Sequence, residues 1–84
     1  MSKAFVFLNC DAGSEKEIVF EMNGISGVSQ ASKISGIYDI VVELDAESNN
    51  GIAKLVRKLR GIASIRSCLT MVVAEKNVPT GDLR

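Results

Sequence analysis

Ile34-Ser-Gly-Ile-Tyr-Asp-Ile-Val-Val-Glu-Leu-Asp45 is the stretch of the chain around which the rest is organised. Gly36 permits a tight turn, and the run of β-forming residues from Ile40 to Leu44 predicts a strand, which we expect to be central in a sheet. Tyr38 and Asp39 therefore lie where a loop meets this strand. A phenol beside a carboxylate at such a junction predicts a small-ligand site.

Three elements are predicted before this stretch. Ala4 to Cys10 is apolar at both alternating sets of positions, which is typical of a strand buried on both faces. Ser14 precedes Glu17 by three residues, a capping-box pattern that predicts the start of a helix, and Asn23-Gly24 is its expected end. The segment from Gly27 to Ile34 predicts a weaker strand, and its polar residues suit the edge of a sheet.

Two further elements are predicted after it. Apolar residues at helical spacing predict a second helix, closed by Gly61, with its apolar stripe at Ile52, Leu55, Val56 and Leu59. Ser48, Asn49 and Asn50 are candidate caps for its start. The last strand is predicted within residues 62–73.

The resulting order is βαββαβ, and the sequence repeats itself. A shift of 34 residues places Asp11-Ala12 on Asp45-Ala46 and Gly27-Val28 on Gly61-Ile62. Two interleaved βαβ halves predict an α+β fold of the ferredoxin-like type, with a four-stranded antiparallel sheet and both helices on one face.

Composition adds an expectation about assembly. The chain has 84 residues, which indicates one domain, and we assign residues 1–75 to it and residues 76–84 to a flexible C-terminal tail. Hydrophobic residues make up 46% of the chain and the mean hydropathy is +0.20, which is high for so small a domain. Because the helices cover one sheet face only, the other apolar face predicts a dimer formed sheet to sheet.

Charge and targeting signals exclude several classes of protein. The formal net charge is zero and the pI is near 6.2, which argues against direct nucleic-acid binding and against a membrane-surface protein. Residues 40–44 lack the stacking aromatics of an RNA-recognition motif, and the basic residues of the second helix are interpreted as a solvated face. With neither a signal peptide nor an apolar run of the ~18 residues that span a bilayer, we expect a cytoplasmic protein.

Catalytic signals are few. The sequence contains no His, which removes the commonest general base, and Cys10 and Cys68 are too few for a zinc site and are interpreted as free buried thiols. No glycine-rich phosphate loop precedes a helix. We therefore predict a non-enzyme without a metal or cofactor.

The segment from Gly36 to Asp39 has two interpretations from its residues alone. Loop amides and the Asp39 carboxylate are suited to fixing a zwitterion, with the amides facing its carboxylate and Asp39 facing its ammonium group. In the alternative interpretation, Gly36 is a turn residue, Tyr38 an interface aromatic and Asp39 a turn cap.

These features together resemble the effector-binding domain of the Lrp/AsnC family, called the RAM domain. The resemblance runs from about Lys3 to Glu75 and is carried by the opening strand at Phe5, Gly27-Val28, Gly36-x-Tyr38-Asp39 before Ile40-Val-Val, and Gly61-Ile62 leading to Ser67. It implies dimers that assemble further into tetramers or octamers, with an amino acid or a related small molecule bound between dimers. By this resemblance the ligand-binding residues are Ser35, Gly36, Tyr38, Asp39 and Ser67.

The sequence departs from the family pattern in two ways. Only three residues precede the expected first strand, so the chain is similar to RAM proteins that lack a helix-turn-helix DNA-binding domain. The resemblance then implies transcription regulation through mixed assembly with full-length Lrp-type regulators. The Thr-x-Thr-like stretch usual in the last strand is replaced by Ile65-Arg66-Ser67, which removes a hydroxyl from the expected site.

Three alternatives remain open at this level. The chain is also compatible with an assembly module that binds no ligand, with a small dimeric αβ-barrel enzyme of ferredoxin-like fold, or with an ACT-like regulatory domain that pairs edge to edge.

Overall fold

A computed structural model of the chain describes residues 1–73. Its elements are, in order, β1 (Ser2–Cys10), α1 (Glu15–Asn23), β2 (Val28–Lys33), β3 (Ile40–Ala46), α2 (Asn49–Arg60) and β4 (Ile65–Val72). The predicted βαββαβ order is therefore confirmed. The tail assigned to residues 76–84 lies outside the described residues, as does the end of the domain at residue 75.

The four strands form one antiparallel sheet in the order β2-β3-β1-β4. The strand after the 34–39 loop, β3, is central and β2 is an edge strand, as predicted. Register fixes which residues meet: Phe7 of β1 lies opposite Val41 of β3 on one side and Leu69 of β4 on the other. The β1–β4 register shifts between Asn9 and Cys10, at a bulge.

One face of the sheet carries the core beneath both helices. Side chains of β1 and β3 alternate between buried and half-buried positions, as period-2 strands require. The buried residues among those described are all apolar: Ala4, Val6, Leu8, Cys10, Ile18, Met22, Ala31, Ile40, Val42, Leu44, Ile52 and Leu59. We call the opposite side, with Phe5, Phe7, Asn9, Val41, Leu69 and Met71, the open face.

Asn23 ties the end of α1 to β2. Its Nδ2 donates to the carbonyl oxygens of Val19 and Ala31 at 3.0 and 3.1 Å, and its Oδ1 accepts from the Ala31 amide at 3.0 Å. Because all three hydrogen bonds go to the backbone, this side chain links the helix to the strand and has a structural role.

The capping-box prediction for α1 is wrong. Ser14 does stand before the first turn, but its hydroxyl donates to the Asp11 carbonyl at 2.6 Å and caps no helix amide. Glu15 accepts from the Gly13 amide instead. At α2 the predicted cap is confirmed, since the Ser48 hydroxyl accepts from the Gly51 amide at 3.3 Å.

The predicted repeat holds for the first part of each half only. α1 and α2 begin 34 residues apart, but α2 has 12 residues and α1 has nine, so the two halves are 37 residues apart beyond the helices. Gly24-Ile25 therefore corresponds to Gly61-Ile62, and the predicted match of Gly27-Val28 to that pair is wrong. β4, from Ile65 to Val72, lies within the residues 62–73 predicted to hold the last strand.

The two helices of the described residues are short, with nine residues in α1 and 12 in α2. Neither α1 nor α2 is long and apolar enough to cross a membrane.

Candidate functional site

The loop of residues 34–39 is held at one end of the sheet by its own ends. The Ile34 amide donates to the Asp39 carbonyl at 2.9 Å, which closes the loop, and the Asp39 amide donates to the Leu8 carbonyl at 2.8 Å, which joins it to β1. The ladder bonds of β3 therefore continue one residue into the loop. The predicted Tyr38-Asp39 junction lies where β1 ends and β3 begins.

The Asp39 carboxylate is oriented by the backbone of β1. Its Oδ2 accepts a hydrogen bond from the Cys10 amide at 3.0 Å, and the residue is half-buried. This oxygen therefore joins the loop to β1, whereas the alternative prediction was a cap of the turn itself. Within residues 1–73, Oδ1 of Asp39 takes no hydrogen bond.

Asn9 connects three elements at this end of the sheet. We orient its amide so that Nδ2 faces the Ile37 carbonyl at 3.0 Å and Asp39 Oδ2 at 3.3 Å, while Oδ1 accepts from the Ser67 hydroxyl at 3.1 Å. The reverse orientation leaves the Asn9 oxygen facing only acceptors, which is the usual ground for assigning an amide. β1, the 34–39 loop and β4 are therefore joined by one side chain.

Tyr38 lies against the open face of the sheet. Its ring centroid is 5.8 Å from that of Phe7, with the ring planes tilted at 48°, a geometry favourable for two aromatic rings. Its hydroxyl makes no hydrogen bond with the described residues. Tyr38 thus connects the loop to the face expected to form the dimer.

Ser35, Gly36 and Ile37 form the exposed tip of the loop, and Ile37 is 86% exposed. Gly36 has a φ of +138°, which side-chain-bearing residues rarely adopt, so the turn depends on glycine. The backbone amides of residues 35–38 donate no hydrogen bond within residues 1–73. The tip therefore presents free donors next to the fixed Asp39 carboxylate.

The five predicted residues are not all brought together. Asp39 and Ser67 come close through Asn9, Tyr38 lies beside them on Phe7, and Ser35 and Gly36 remain at the exposed tip. Sequence reasoning missed Asn9 and the contact of Phe7. The signal for Asn9 was its position, since it continues the alternation of Phe5 and Phe7 and places an amide on an otherwise apolar face.

The open face also carries a charged group at its other end. Lys3 Nζ lies 2.8 Å from Glu43 Oε2 and 3.2 Å from Asp45 Oδ1. The pKa of the Asp45 carboxyl is lowered, mainly by the Ser29 hydroxyl and to a smaller extent by the Lys3 ammonium group. The pKa of Lys3 is raised by its hydrogen bonds to Glu43 and Asp45. The ion pairs are partly exposed, so they contribute little to stability.

Two depressions lie outside the predicted site. One of 180 Å³ is lined on the sheet by Phe5, Gln30, Ser32, Val41 and Glu43, and one of 540 Å³ lies at the C-terminal ends of the helices, bordered by Glu21, Arg57 and Lys58 among others. Both are open to solvent. The first is below the roughly 300 Å³ at which small-molecule pockets begin.

The two cysteines differ in burial. Cys10 is buried, and burial raises the pKa of its thiol, but Cys68 is only half-buried, so the prediction of two buried thiols is half right. Among residues 1–73, no three side chains of the metal-ligating types come close enough to hold a metal ion.

Comparison with solved structures finds the same architecture. The hypothetical protein PHS023 from Pyrococcus horikoshii superposes with a TM-score of 0.85 at 23% identity, covering 92% of this chain and 94% of that one. Escherichia coli AsnC superposes at 0.80 with 19% identity, covering 93% of this chain and 54% of the other. The transcriptional regulator NMB0573 of Neisseria meningitidis, solved as a complex with L-Met, superposes at 0.74 with 14% identity, over 99% of this chain and 56% of that one. At these identities the likeness establishes the fold.

Sequence relatives are parts of a larger protein. Homocitrate synthase from Saccharolobus islandicus is 29% identical over 75 residues, which is 88% of this chain but 16% of the enzyme. The chain thus spans about one sixth of that relative's length.

A family model identifies the chain itself. The model of the Lrp/AsnC ligand binding domain matches residues 3–83 of the 84, which is nearly the whole sequence and includes the span from Lys3 to Glu75 over which the residue pattern resembles the RAM domain. The chain therefore belongs to the Lrp/AsnC ligand binding domain family.

Proposed function

We propose that this chain is a non-catalytic, oligomeric regulatory module that senses an amino acid at the 34–39 loop. The observation that carries the proposal is the fixed Asp39 carboxylate beside the loop tip, where Asp39 Oδ1 and the four amides of residues 35–38 have no hydrogen-bond partner among residues 1–73. A zwitterion needs both: an anionic acceptor for its ammonium group and N–H donors for its carboxylate. The family, defined as a ligand binding domain, supports this function.

The geometry of Asp39 favours a compact ammonium group over a guanidinium group. Oδ2 already accepts from the Cys10 amide and from Asn9 Nδ2, so Oδ1 is the oxygen left for a ligand. A guanidinium group prefers two parallel bonds to both oxygens, whereas an ammonium group bonds as a point charge. The complex of NMB0573 with L-Met makes an amino acid a reasonable first class of ligand to test here.

A second copy of the chain is expected to complete the site. In one protomer the loop tip of residues 35–37 is exposed and Asp39 is half-buried. The open face offers a large apolar contact surface next to it, with Leu69 and Met71 exposed by 42% and 53%. We infer a homodimer through this face, with further assembly to tetramers or octamers bringing a second loop against the first.

The first experiment is a thermal-shift screen against the twenty amino acids. A ligand present at about 100 times its dissociation constant stabilises the protein by about 2.7 kcal/mol per site. Asp39→Asn is a sharper test than Asp39→Ala, because it keeps an oxygen for the Cys10 amide while it removes the charge. We expect it to weaken binding by about 1.5–3 kcal/mol, the range for a hydrogen bond to a charged group.

The control for this screen is Glu17→Gln, which removes an exposed carboxylate of α1 and should leave every shift intact. If Asp39→Asn binds as tightly as the wild type, Asp39 does not contact the ligand. If no amino acid shifts the wild-type protein, an assembly module without an amino-acid ligand becomes the better interpretation.

How the module acts on other proteins is a separate part of the proposal. The chain is expected to form mixed assemblies with full-length Lrp-type regulators and to change their oligomeric state when ligand binds. Capture of the tagged chain from its host, followed by mass spectrometry, tests this. Absence of any DNA-binding homologue from the captured material would contradict it.

One observation favours a second candidate function, control of an enzyme. The match to homocitrate synthase covers most of this chain but a small part of that enzyme, so a unit of this type also occurs in a biosynthetic protein. In the same capture experiment, a metabolic enzyme in place of a regulator would favour this candidate. The family match favours either regulatory function over the αβ-barrel enzyme and the ACT-like domain.

A further inference from the structure

The geometry points to Asn9 as a positioning residue of the ligand site, an inference that rests on the proposed function of the 34–39 loop. Asn9 itself contacts the loop and Asp39, and it acts on a ligand through them. It holds the Asp39 carboxylate in the orientation that leaves Oδ1 free.

The position of Asn9 explains why one side chain can do this. It is the last β1 residue before the register shift, where its partner in β4 is Ser67. Bulges of this kind often end regular pairing next to functional sites and redirect side chains. Asn9 thereby reaches across to Ser67 and towards the loop, so that residues 28 to 58 positions apart in sequence meet at one point.

The hydrogen bonds of Asn9 have two functions, which are to hold the loop and to fix the Asn9 amide itself. Nδ2 donates to the Ile37 carbonyl and to Asp39 Oδ2, which fixes the backbone of the loop and the direction of the carboxylate. Oδ1 accepts from the Ser67 hydroxyl, which fixes the amide itself. Ser67 is therefore expected to act through Asn9, and this gives the predicted site residue a defined role.

Replacing the Asn9 amide nitrogen by oxygen tests this arrangement directly. Asn9→Asp places a second carboxyl where Nδ2 lies 3.3 Å from Asp39 Oδ2. Two carboxylates at this separation do not both remain ionised without repulsion, so the loop is displaced at neutral pH, or a proton is taken up and shared. On acidification the shared proton restores a hydrogen bond between them.

Three other ionisable side chains lie near this point, those of Cys10, Asp11 and Glu15. The Cys10 thiol faces the core and burial raises its pKa, so it stays protonated below neutral pH. Asp11 is paired with Arg66 at 2.8 Å on the exposed side of the same turn.

The measurement is the affinity for each of the twenty amino acids at pH 7 and at about pH 5, by calorimetry. We expect Asn9→Asp to weaken binding at least about tenfold at neutral pH, the effect of losing one hydrogen bond to a charged group. Affinity should partly recover at the lower pH, while that of the wild type stays nearly constant. A residue that only supports the fold would show no such recovery.

Asn23→Asp is the matched control. The Nδ2 of Asn23 also donates hydrogen bonds to two elements, but these are α1 and β2, which lie away from the loop. This variant should lower the melting temperature and leave affinity unchanged at both pH values. Asn9→Ala serves if Asn9→Asp does not fold, with weakened binding expected and no recovery on acidification.

The outcomes separate the two proposals. Wild-type affinity in Asn9→Asp at neutral pH, or in Asn9→Ala if that variant is used, overturns the role of Asn9 and leaves the proposed function in place. A wild-type protein that binds none of the amino acids overturns the proposed function, and the role of Asn9 with it.

Discussion

The two faces of the sheet have different roles, since one carries the core and the other carries the candidate site. On the helix face, Val6, Leu8 and Leu44 are completely buried in the core cluster, which also includes Ile18 of α1 and Ile52 of α2. On the open face, the neighbouring residues Phe5 and Phe7 of the same strand are half-buried. Because side chains alternate along a strand, β1 supplies the core with one set of residues and the candidate site with the other.

The contrast between the two faces indicates where substitutions will affect stability and where they will affect function. Burial of a large apolar side chain stabilises a fold by about 1.5–3 kcal/mol, and the helix face contains nearly all of these. The open face contains the ring of Phe7, the amide of Asn9 and the ion pairs of Lys3. We therefore expect the helix face to determine folding and the open face to determine assembly and ligand binding.

The largest expected effect comes from replacing a leucine by alanine on the helix face, and the comparison is the same replacement on the open face. Leu8→Ala opens a cavity in the core and should lower the free energy of unfolding by about 2–5 kcal/mol, the usual range for a buried leucine. Leu69→Ala, on the open face of the adjacent strand, removes a side chain that is 42% exposed and should cost the protomer much less. Urea denaturation at low protein concentration measures both, and equal losses would contradict the division between the faces.

Most of the fold could be predicted because its signals are local. The alternation in β1 and the stripe of Ile52, Leu55, Val56 and Leu59 in α2 follow from the period of each element. The 34-residue repeat fails beyond the helices because three extra residues lengthen α2, a difference that does not disturb the apolar pattern. The Ser14 cap fails because its hydroxyl has a closer acceptor in the Asp11 carbonyl.

The candidate site could be predicted less well because its contacts join distant parts of the chain. Tyr38 and Asp39 were indicated by a local junction of turn, phenol and carboxylate. The link from Asn9 to Asp39 and Ser67 depends on the register of β1 with both neighbours and on the bulge after Asn9, which no local pattern encodes. Ligand contact at these residues stays a prediction.

A pair of glycines gives the next largest expected effect. Gly27 has a φ of +100°, and a Cβ there would lie 2.7 Å from Leu55 Cδ1 of α2, beneath the helix face. Gly36, in the candidate site, has a φ of +138° and open space around it. Gly27→Ala should therefore combine backbone strain of about 1–3 kcal/mol with the smaller cost of displacing the end of the Leu55 side chain, while Gly36→Ala has the strain alone.

Thermal unfolding distinguishes these two variants, and amino-acid binding adds a second readout. Gly36→Ala is expected to weaken binding more than Gly27→Ala, although it destabilises the protein less. If Gly27→Ala is the more stable of the two variants, the close approach of Leu55 in α2 to Gly27 does not limit the size of the side chain at residue 27.

A charged substitution on the open face is expected to have a smaller effect, which is on the association of two copies of the chain. Leu69→Lys places a charge on the surface expected to be covered by a second copy, and burying an unpaired charge is unfavourable. We expect the dimer dissociation constant to rise at least about tenfold, since each 1.4 kcal/mol of interface energy corresponds to one such factor. Sedimentation velocity across a range of concentrations measures it.

Phe20→Lys is the control for this comparison. Phe20 is 83% exposed on α1, on the helix side of the molecule, and the same change of charge there should leave association unaltered. A dimer that is weakened by Phe20→Lys and not by Leu69→Lys would place the interface on the helices.

The smallest expected effect concerns the ion pairs of the open face, since the buried residues among those described include no charged side chain. The nearby Ser29 hydroxyl and Lys3 ammonium group lower the pKa of Asp45 in the folded protein, so the stability that they contribute is present at neutral pH and is lost as pH falls through this lowered pKa. Lys3→Met should therefore lower the melting temperature slightly at neutral pH, and the difference from the wild type should shrink on acidification and in high salt. Leu8→Ala should show no such dependence, because the cavity it creates involves no titrating group. A Lys3→Met difference that persists unchanged below the pKa of Asp45 would instead assign the effect to packing of the lysine side chain on the sheet.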